Sequence, residues 1–146
     1  MGRPVITFDI VGKPSPQSGM RAVNTARGAR LITAGGTNLR TWRSQVADTA
    51  RHHAQQHGCQ TEPLSLNVAF RFPMPKSAPK HDKTAGMRHR ATVPDLDKLL
   101  RGLLDGLTAG GLIADDSLIV HIVAEKIDVH NDWTGATVTI TEMVPL

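Results

Sequence analysis

Residues 94–129 read PDLDKLLRGLLDGLTAGGLIADDSLIVHIVAEKIDV, and their pattern changes period partway along. From Asp95 to Ala109, leucines at 96, 99, 100, 103, 104 and 107 repeat at three and four residues, one face of an α-helix. Pro94 suits the entrance to that helix, and Gly110-Gly111 suits its exit. Leu118 to Val129 then reads as a long strand. A helix leading through a short turn into a strand has to pack back on a sheet, so the rest of the chain is read for that sheet.

Upstream, Leu64, Leu66, Val68, Phe70 and Phe72 alternate strictly with polar or small residues, the pattern of a strand with one buried face. Val5–Val11 mixes apolar and polar residues as a half-buried strand does, and Gly12–Gly19 is rich in turn formers. Arg30–Thr33 suggests a short second strand. A helix from a Thr37 cap to about His57, stopped by Gly58, carries a sparse apolar stripe of Leu39, Trp42, Val46 and Ala50. Gly135–Met143 closes the set as a further strand. Residues 73–92 hold almost no apolar side chains and are expected to form one long, mobile, basic loop. The expected order, β-(β)-α-β-α-β-β, describes an α+β fold over residues 1–146: a single domain with a mixed β-sheet and two main helices packed on it.

Composition limits the function. The chain has 146 residues and a single cysteine, Cys59, so no internal disulfide forms, which fits a reducing cytoplasm. No apolar run approaches the roughly 18–20 residues that span a membrane. Charge is divided unevenly. Residues 1–94 hold 14 Lys and Arg against 4 Asp and Glu, a net +10; residues 95–146 hold 3 against 9, a net −6. A basic half suits a polyanion and an acidic half suits a cation.

The acidic half concentrates in two motifs, Val93-Pro94-Asp95-Leu96-Asp97 and Ala114-Asp115-Asp116-Ser117. Asp95 and Asp97 stand where extended chain becomes helix. If extended backbone continues through Asp97, both carboxylates face one side; if the helix starts earlier, they diverge. The helix is about 21 Å long, and an extended return from Gly110 to Asp116 covers roughly 20 Å. Asp116 can therefore lie beside the pair, within one chain or across a dimer contact. Three close carboxylates repel unless a proton or a hard cation intervenes. Magnesium takes a few carboxylates, keeps waters and accepts phosphate oxygens, which is the chemistry of metal-assisted phosphodiester cleavage. Asp near a helix start and Asp-Asp in a turn also have ordinary structural roles, and the residues alone leave both readings open.

The run Pro94-Asp95-Leu96-Asp97-Lys98-Leu99-Leu100-Arg101, continuing through Leu104-Asp105-Gly106-Leu107 to Asp115-Asp116-Ser117, closely resembles the signature of RusA-type Holliday junction resolvases. That signature is a D-L-D-N-L helix, a following D-A-L, and a D-D-S or D-D-A turn. Ala124-Glu125-Lys126 looks like the family's next strand; Gly12-Lys13-Pro14-Ser15-Pro16 and Thr41-Trp42-Arg43 are weaker echoes. The resemblance implies a homodimer that binds four-way DNA junctions and makes paired symmetric nicks with Mg2+, for which Mn2+ can substitute. It implies work in recombination and repair, in the cytoplasm of a bacterial or phage-infected cell. It implies Asp95, Asp97 and Asp116 as catalytic metal ligands, Asp115 beside them as a further metal ligand, and Arg101 as a catalytic cation. Arg101 falls where the family has an assisting lysine, and Lys98 where it has asparagine. Arginine keeps the charge but does not readily give up its proton, so Arg101 and Lys98 are expected to face phosphate.

The remaining cations supply candidate DNA contacts: Lys76, Lys80, Lys83, Arg88 and Arg90 in the basic stretch, and Lys13 in the N-terminal echo. With few aromatics for stacking, recognition of backbone and shape is expected. His53, His57 and Cys59 make a poor zinc set, having no second cysteine and a cysteine beyond the helix end. The alternatives to a junction resolvase are a non-catalytic DNA-binding protein with a structural acidic turn, and a related metal nuclease that cuts flaps or forks.

Overall fold

The computed structural model describes the backbone of residues 4–16, 20–25, 28–33 and 36–146, and the side chains of residues 6–16 and 39–146. Strands β1 (Pro4–Val11), β4 (Leu64–Pro73), β5 (Met87–His89), β6 (Ile119–Val129) and β7 (Gly135–Glu142) form one mixed sheet in the order β1-β7-β4-β6-β5. β2 (Met20–Thr25) and β3 (Gly28–Thr33) pair as a separate antiparallel hairpin. The helices are α1 (Gly36–His57), α2 (Lys80–Ala85) and α3 (Leu96–Ala109). The architecture is the expected α+β one.

The alternation in β4 does what its period requires. Leu64, Leu66, Val68, Phe70 and Phe72 are buried, in one cluster with Trp42, Val46 and Ala50 of α1 and Leu99, Leu103 and Leu107 of α3. Each of these α3 leucines is 0% exposed, and full burial of such a side chain stabilises by roughly 1.5–3 kcal/mol. Gly135 starts β7 at φ +143, where a Cβ would lie 1.9 Å from the Ile10 carbonyl oxygen. Only glycine admits that approach of β7 to β1. The opposite sheet face carries Thr7, Asp9, Thr137 and Thr139, joined in exposed hydrogen bonds.

β4 and β6 run parallel, so the chain between them must cross over. α3 makes that crossing. Its start lies at the far end of β6, where Lys126 Nζ donates to the carbonyls of Thr92 and Pro94, both at 2.8 Å. Its last turn lies at the near end of β6, beside the 3₁₀ turn Asp116–Leu118.

Two expectations are corrected. Residues 73–92 are not one long loop but carry α2 and β5. Charge, not apolar burial, secures them: α2 buries no residue, yet the buried Asp128 accepts from Arg88 Nε at 3.0 Å and Arg90 Nη1 at 2.8 Å. Gly86, in left-handed conformation at φ 88, closes α2, and its carbonyl accepts from the His130 N–H. α1 begins at Gly36, one residue before the expected cap Thr37, whose side chain lies outside the described residues. Among the described residues no helix is long and apolar enough to cross a membrane.

Candidate active site

The helix junction falls at Asp95. That residue is extended, at φ −70 and ψ 140, and Leu96 begins α3. Asp97 is therefore already helical, and the extended arrangement that would align the two carboxylates stops one residue short of it. Asp95 makes no capping bond. Its neighbour is Lys98, whose Nζ lies 3.6 Å from Oδ2. Asp97 is exposed in the first turn, where the helix dipole favours a negative charge. Arg101 is exposed four residues further on, on the same helix face.

Asp95 lines an open groove of about 420 Å³ with Pro16, Arg90, Val93, Pro94 and Lys98. The loop after β1 thus reaches the helix entrance, bringing the Gly12–Pro16 echo to the acidic pair. Lys13 is exposed on that loop. Arg90 walls the groove but turns inward as well: Nε donates to the Val93 carbonyl at 3.0 Å, and the guanidinium carbon lies 4.5 Å above the Phe72 ring. Arg88 is bound to Asp128 and Asp82. These two arginines, expected as DNA contacts, are thereby committed to holding β5 on the sheet. Lys83 donates to the Lys76 carbonyl at 2.6 Å, while Lys76 and Lys80 are exposed.

Asp116 is elsewhere. Its Oδ1 accepts from Thr108 Oγ1 in the last turn of α3. Thr108 is eleven residues beyond Asp97 in one helix, so the third acid stands about 16 Å along the axis from the pair. The expected extended return does not occur. Leu112 and Ile113, 0% and 1% exposed, plug into the core directly after the turn at Gly110 and Gly111, and Leu112 N–H bonds back to Leu107. Burying those side chains keeps Asp116 at the C-terminal end of α3. Asp115 caps the 3₁₀ turn: its Oδ2 accepts from the hydroxyl and the backbone N–H of Ser117. These bonds, the hydroxyl's first, hold its carboxyl below the usual carboxylate range.

Among the described residues no three acidic, histidine or cysteine side chains come together as a metal site. The three aspartates do not form one shell within a single chain. His53, His57 and Cys59 form none either; His53 stacks on Phe8 at 4.6 Å. The sequence reading missed two positioning residues, Lys126 and Thr108. Lys126 had a signal: it is the only cation in β6, and it stands in register with the buried Phe70. Thr108 had none, because only the observed turn brings it to Asp116.

No curated protein matches the chain. The profile of the family described as Endodeoxyribonuclease RusA matches residues 12–141, and the chain belongs to the RusA endodeoxyribonuclease family.

Proposed function

We propose that this chain is a Mg2+-dependent, structure-selective endonuclease that resolves four-way DNA junctions by paired symmetric nicks, as a homodimer, in recombination and repair. Family membership supports Holliday junction resolvase activity at the family level. The observation carrying the finer reading is the groove at the start of α3, where the exposed Asp95 stands among Lys98, Arg90 and Pro16. An exposed carboxylate offers a hard cation a ligand, and Lys98 beside it offers a phosphodiester its counter-charge.

In this reading Asp95, Asp97 and Asp116 are the metal-holding acids, with Asp116 supplied across a dimer contact because α3 keeps it about 16 Å from the pair within one chain, and Asp115 orients the turn that carries Asp116. Bound magnesium supplies charge stabilisation at the scissile phosphate and an activated water. Lys98 and Arg101 meet phosphate oxygens on the exposed side of α3. Lys13, Lys76 and Lys80 extend the cationic surface for backbone contacts. A two-fold enzyme matches a junction with two symmetric strands to cut.

The test offers purified protein a synthetic four-way junction, a flap, a fork and linear duplex, each with magnesium, manganese or EDTA. Symmetric metal-dependent nicking of the junction is the expected result. Asp97→Asn should abolish cutting and retain binding. Binding without cleavage under every metal would establish a DNA-binding protein instead, and preference for the flap or fork would move the substrate.

A further inference from the structure

Beyond the shared C-terminal end of the parallel strands β4 and β6, three segments border a cavity of about 320 Å³. They are the loop after β4, the helix α2, and the turn between β6 and β7. Polar side chains ring the cavity: Lys76 from the loop, Lys83 from α2, and His130, Asn131 and Asp132 from the turn. Hydrogen bonds tie the three segments together. Lys83 Nζ donates to the Lys76 carbonyl at 2.6 Å, and the His130 N–H donates to the carbonyl of Gly86, at the end of α2, at 2.9 Å.

The charge balance of this pocket favours an anion. Asp132 is the one carboxylate in the lining, and it is already neutralised: Arg71 Nη2 donates to its Oδ2 at 2.8 Å, and the Trp133 N–H donates to its Oδ1 at 2.8 Å. Among the described residues no carboxylate pairs with Lys76 or Lys83. Lys83 is half-buried, and one of its ammonium N–H groups is occupied by the Lys76 carbonyl. The ammonium is thereby held at the pocket with further donors to offer. The Asn131 amide nitrogen lies 3.3 Å from His130 Nε2, so an amide and an imidazole stand together on the opposite wall. Two ammonium groups, an imidazole and an amide suit a phosphate, whose oxygens take several charge-assisted hydrogen bonds.

We propose that this pocket is a second phosphate site, which takes a backbone phosphate of the DNA arm about three nucleotides from the phosphate at Asp95. The identity of the occupant rests on the nuclease reading; the phosphate chemistry rests on the pocket alone. Position supports it. Lys126 holds the Pro94 carbonyl beside the Asp95 groove, and Val129, three residues further along β6, lines the pocket. That separation is about 10 Å at 3.3 Å per residue. A DNA strand advances about 3.4 Å along the axis for each phosphate, so three steps span it. Arg90 and Asp128 lie between the two sites, already bonded to each other. A strand gripped at both points is fixed in register over the acids. Lys80, on the same helix as Lys83, is exposed and does not line the pocket.

Junction binding measured in EDTA tests the pocket without cleavage. Lys83→Gln should weaken affinity by about five- to ten-fold at about 0.1 M salt and make its salt dependence shallower by roughly one counterion. Lys83→Arg should restore wild-type affinity. Single methylphosphonate links, each removing one backbone charge, are then scanned along the strand. One link, about three nucleotides from the scissile bond, should weaken wild-type binding yet cost Lys83→Gln nothing more. Lys80→Gln should couple to no single link. Equal, position-independent losses from Lys80→Gln and Lys83→Gln would overturn the pocket and leave a diffuse cationic surface.

The backbone amides of His130 and Asn131 identify the occupant. Excess inorganic phosphate should shift both in nuclear magnetic resonance spectra of the full-length wild type, and a four-way junction without terminal phosphates should shift them too. Shifts with phosphate or a 5′-phosphorylated oligonucleotide, but none with that junction, would assign the pocket to a terminal or free phosphate and overturn the backbone contact. No shift with any of these probes overturns the site. Shifts with both phosphate and junction, in a chain that cuts no DNA under any metal, would sink the nuclease reading and leave the phosphate pocket standing.

Discussion

Thr108 Oγ1 donates to Asp116 Oδ1 at 2.5 Å, tying the third acid to the last turn of the helix whose first turn carries Asp97. Both ends of α3 are thus fitted with carboxylates, and the rigidity of one helix fixes the distance between them. Thr108 touches neither phosphate nor metal in the proposed reaction; it positions Asp116. Thr108→Val should raise the magnesium needed for half-maximal cleavage by about ten-fold, the scale set by losing one hydrogen bond to a charged group. Thr108→Ser should restore the wild-type titration. A valine variant with reduced thermal stability but an unchanged magnesium titration would make the bond merely structural.

The leucine period marked α3 to within one residue, and strict alternation marked β4, because both patterns record which side chains leave water. The same logic misjudged the return to Asp116. An extended return would match the helix in length, but Leu112 and Ile113 are apolar and claim core sites first. α2 and β5 left no hydrophobic trace, since ion pairs to Asp128 hold them, and a carboxylate inside an apolar strand does not announce its partners. The pair at the helix entrance was legible from motif and spacing. The separation of Asp116 was not, because it depends on where a turn sends two buried side chains.

Asp128 is the anchor of the α2–β5 segment. Its side chain is 3% exposed and accepts from both Arg88 and Arg90. Asp128→Asn keeps the shape but removes the charge facing two guanidinium groups. Breaking a buried pair costs about 3–5 kcal/mol; with both arginines partly exposed, about 2–3 kcal/mol is expected from urea denaturation. The loss should be accompanied by faster amide exchange in residues 80–90. A stable variant with unchanged exchange would show that backbone pairing alone secures β5.

Gly106 sets how closely α1 and α3 approach. A Cβ there would lie 2.4 Å from Val46 Cγ1. Gly106→Ala should destabilise by about 1–3 kcal/mol through overpacking, although alanine is the better helix former. Val46→Ala in the same chain should recover part of that loss by making room. Non-additivity of the two changes in denaturant midpoints checks the contact; strict additivity would contradict it.

His53 gives stability a pH dependence. Burial, then the charges of His52 and His57, hold its pKa below the ordinary histidine value of 6.5. The folded chain binds a proton at this ring less readily than the unfolded chain. The contribution is therefore complete above about pH 6.5 and is lost as pH falls below that value towards the lowered folded one. His53→Phe retains a ring against Phe8 and removes the titration. The difference in urea midpoint between about pH 7.5 and about pH 5.5 should shrink in this variant. An unchanged difference would assign the dependence to other groups.

Lys98 stands where the family signature has asparagine, and its Nζ is 3.6 Å from Asp95 Oδ2. Both side chains are largely exposed, so the pair itself is worth under about 1 kcal/mol. A cation this close still competes with a divalent ion for the same oxygens. Lys98→Asn should therefore tighten magnesium binding by about two- to five-fold, the range such a weak pair permits, while weakening junction binding through loss of a phosphate contact. The salt dependence of DNA affinity should become shallower by roughly one counterion. Magnesium titration at saturating DNA separates the two effects. If the variant needs more magnesium, Lys98 supports the acid instead of competing for it, and the departure from asparagine would then aid metal binding at this site.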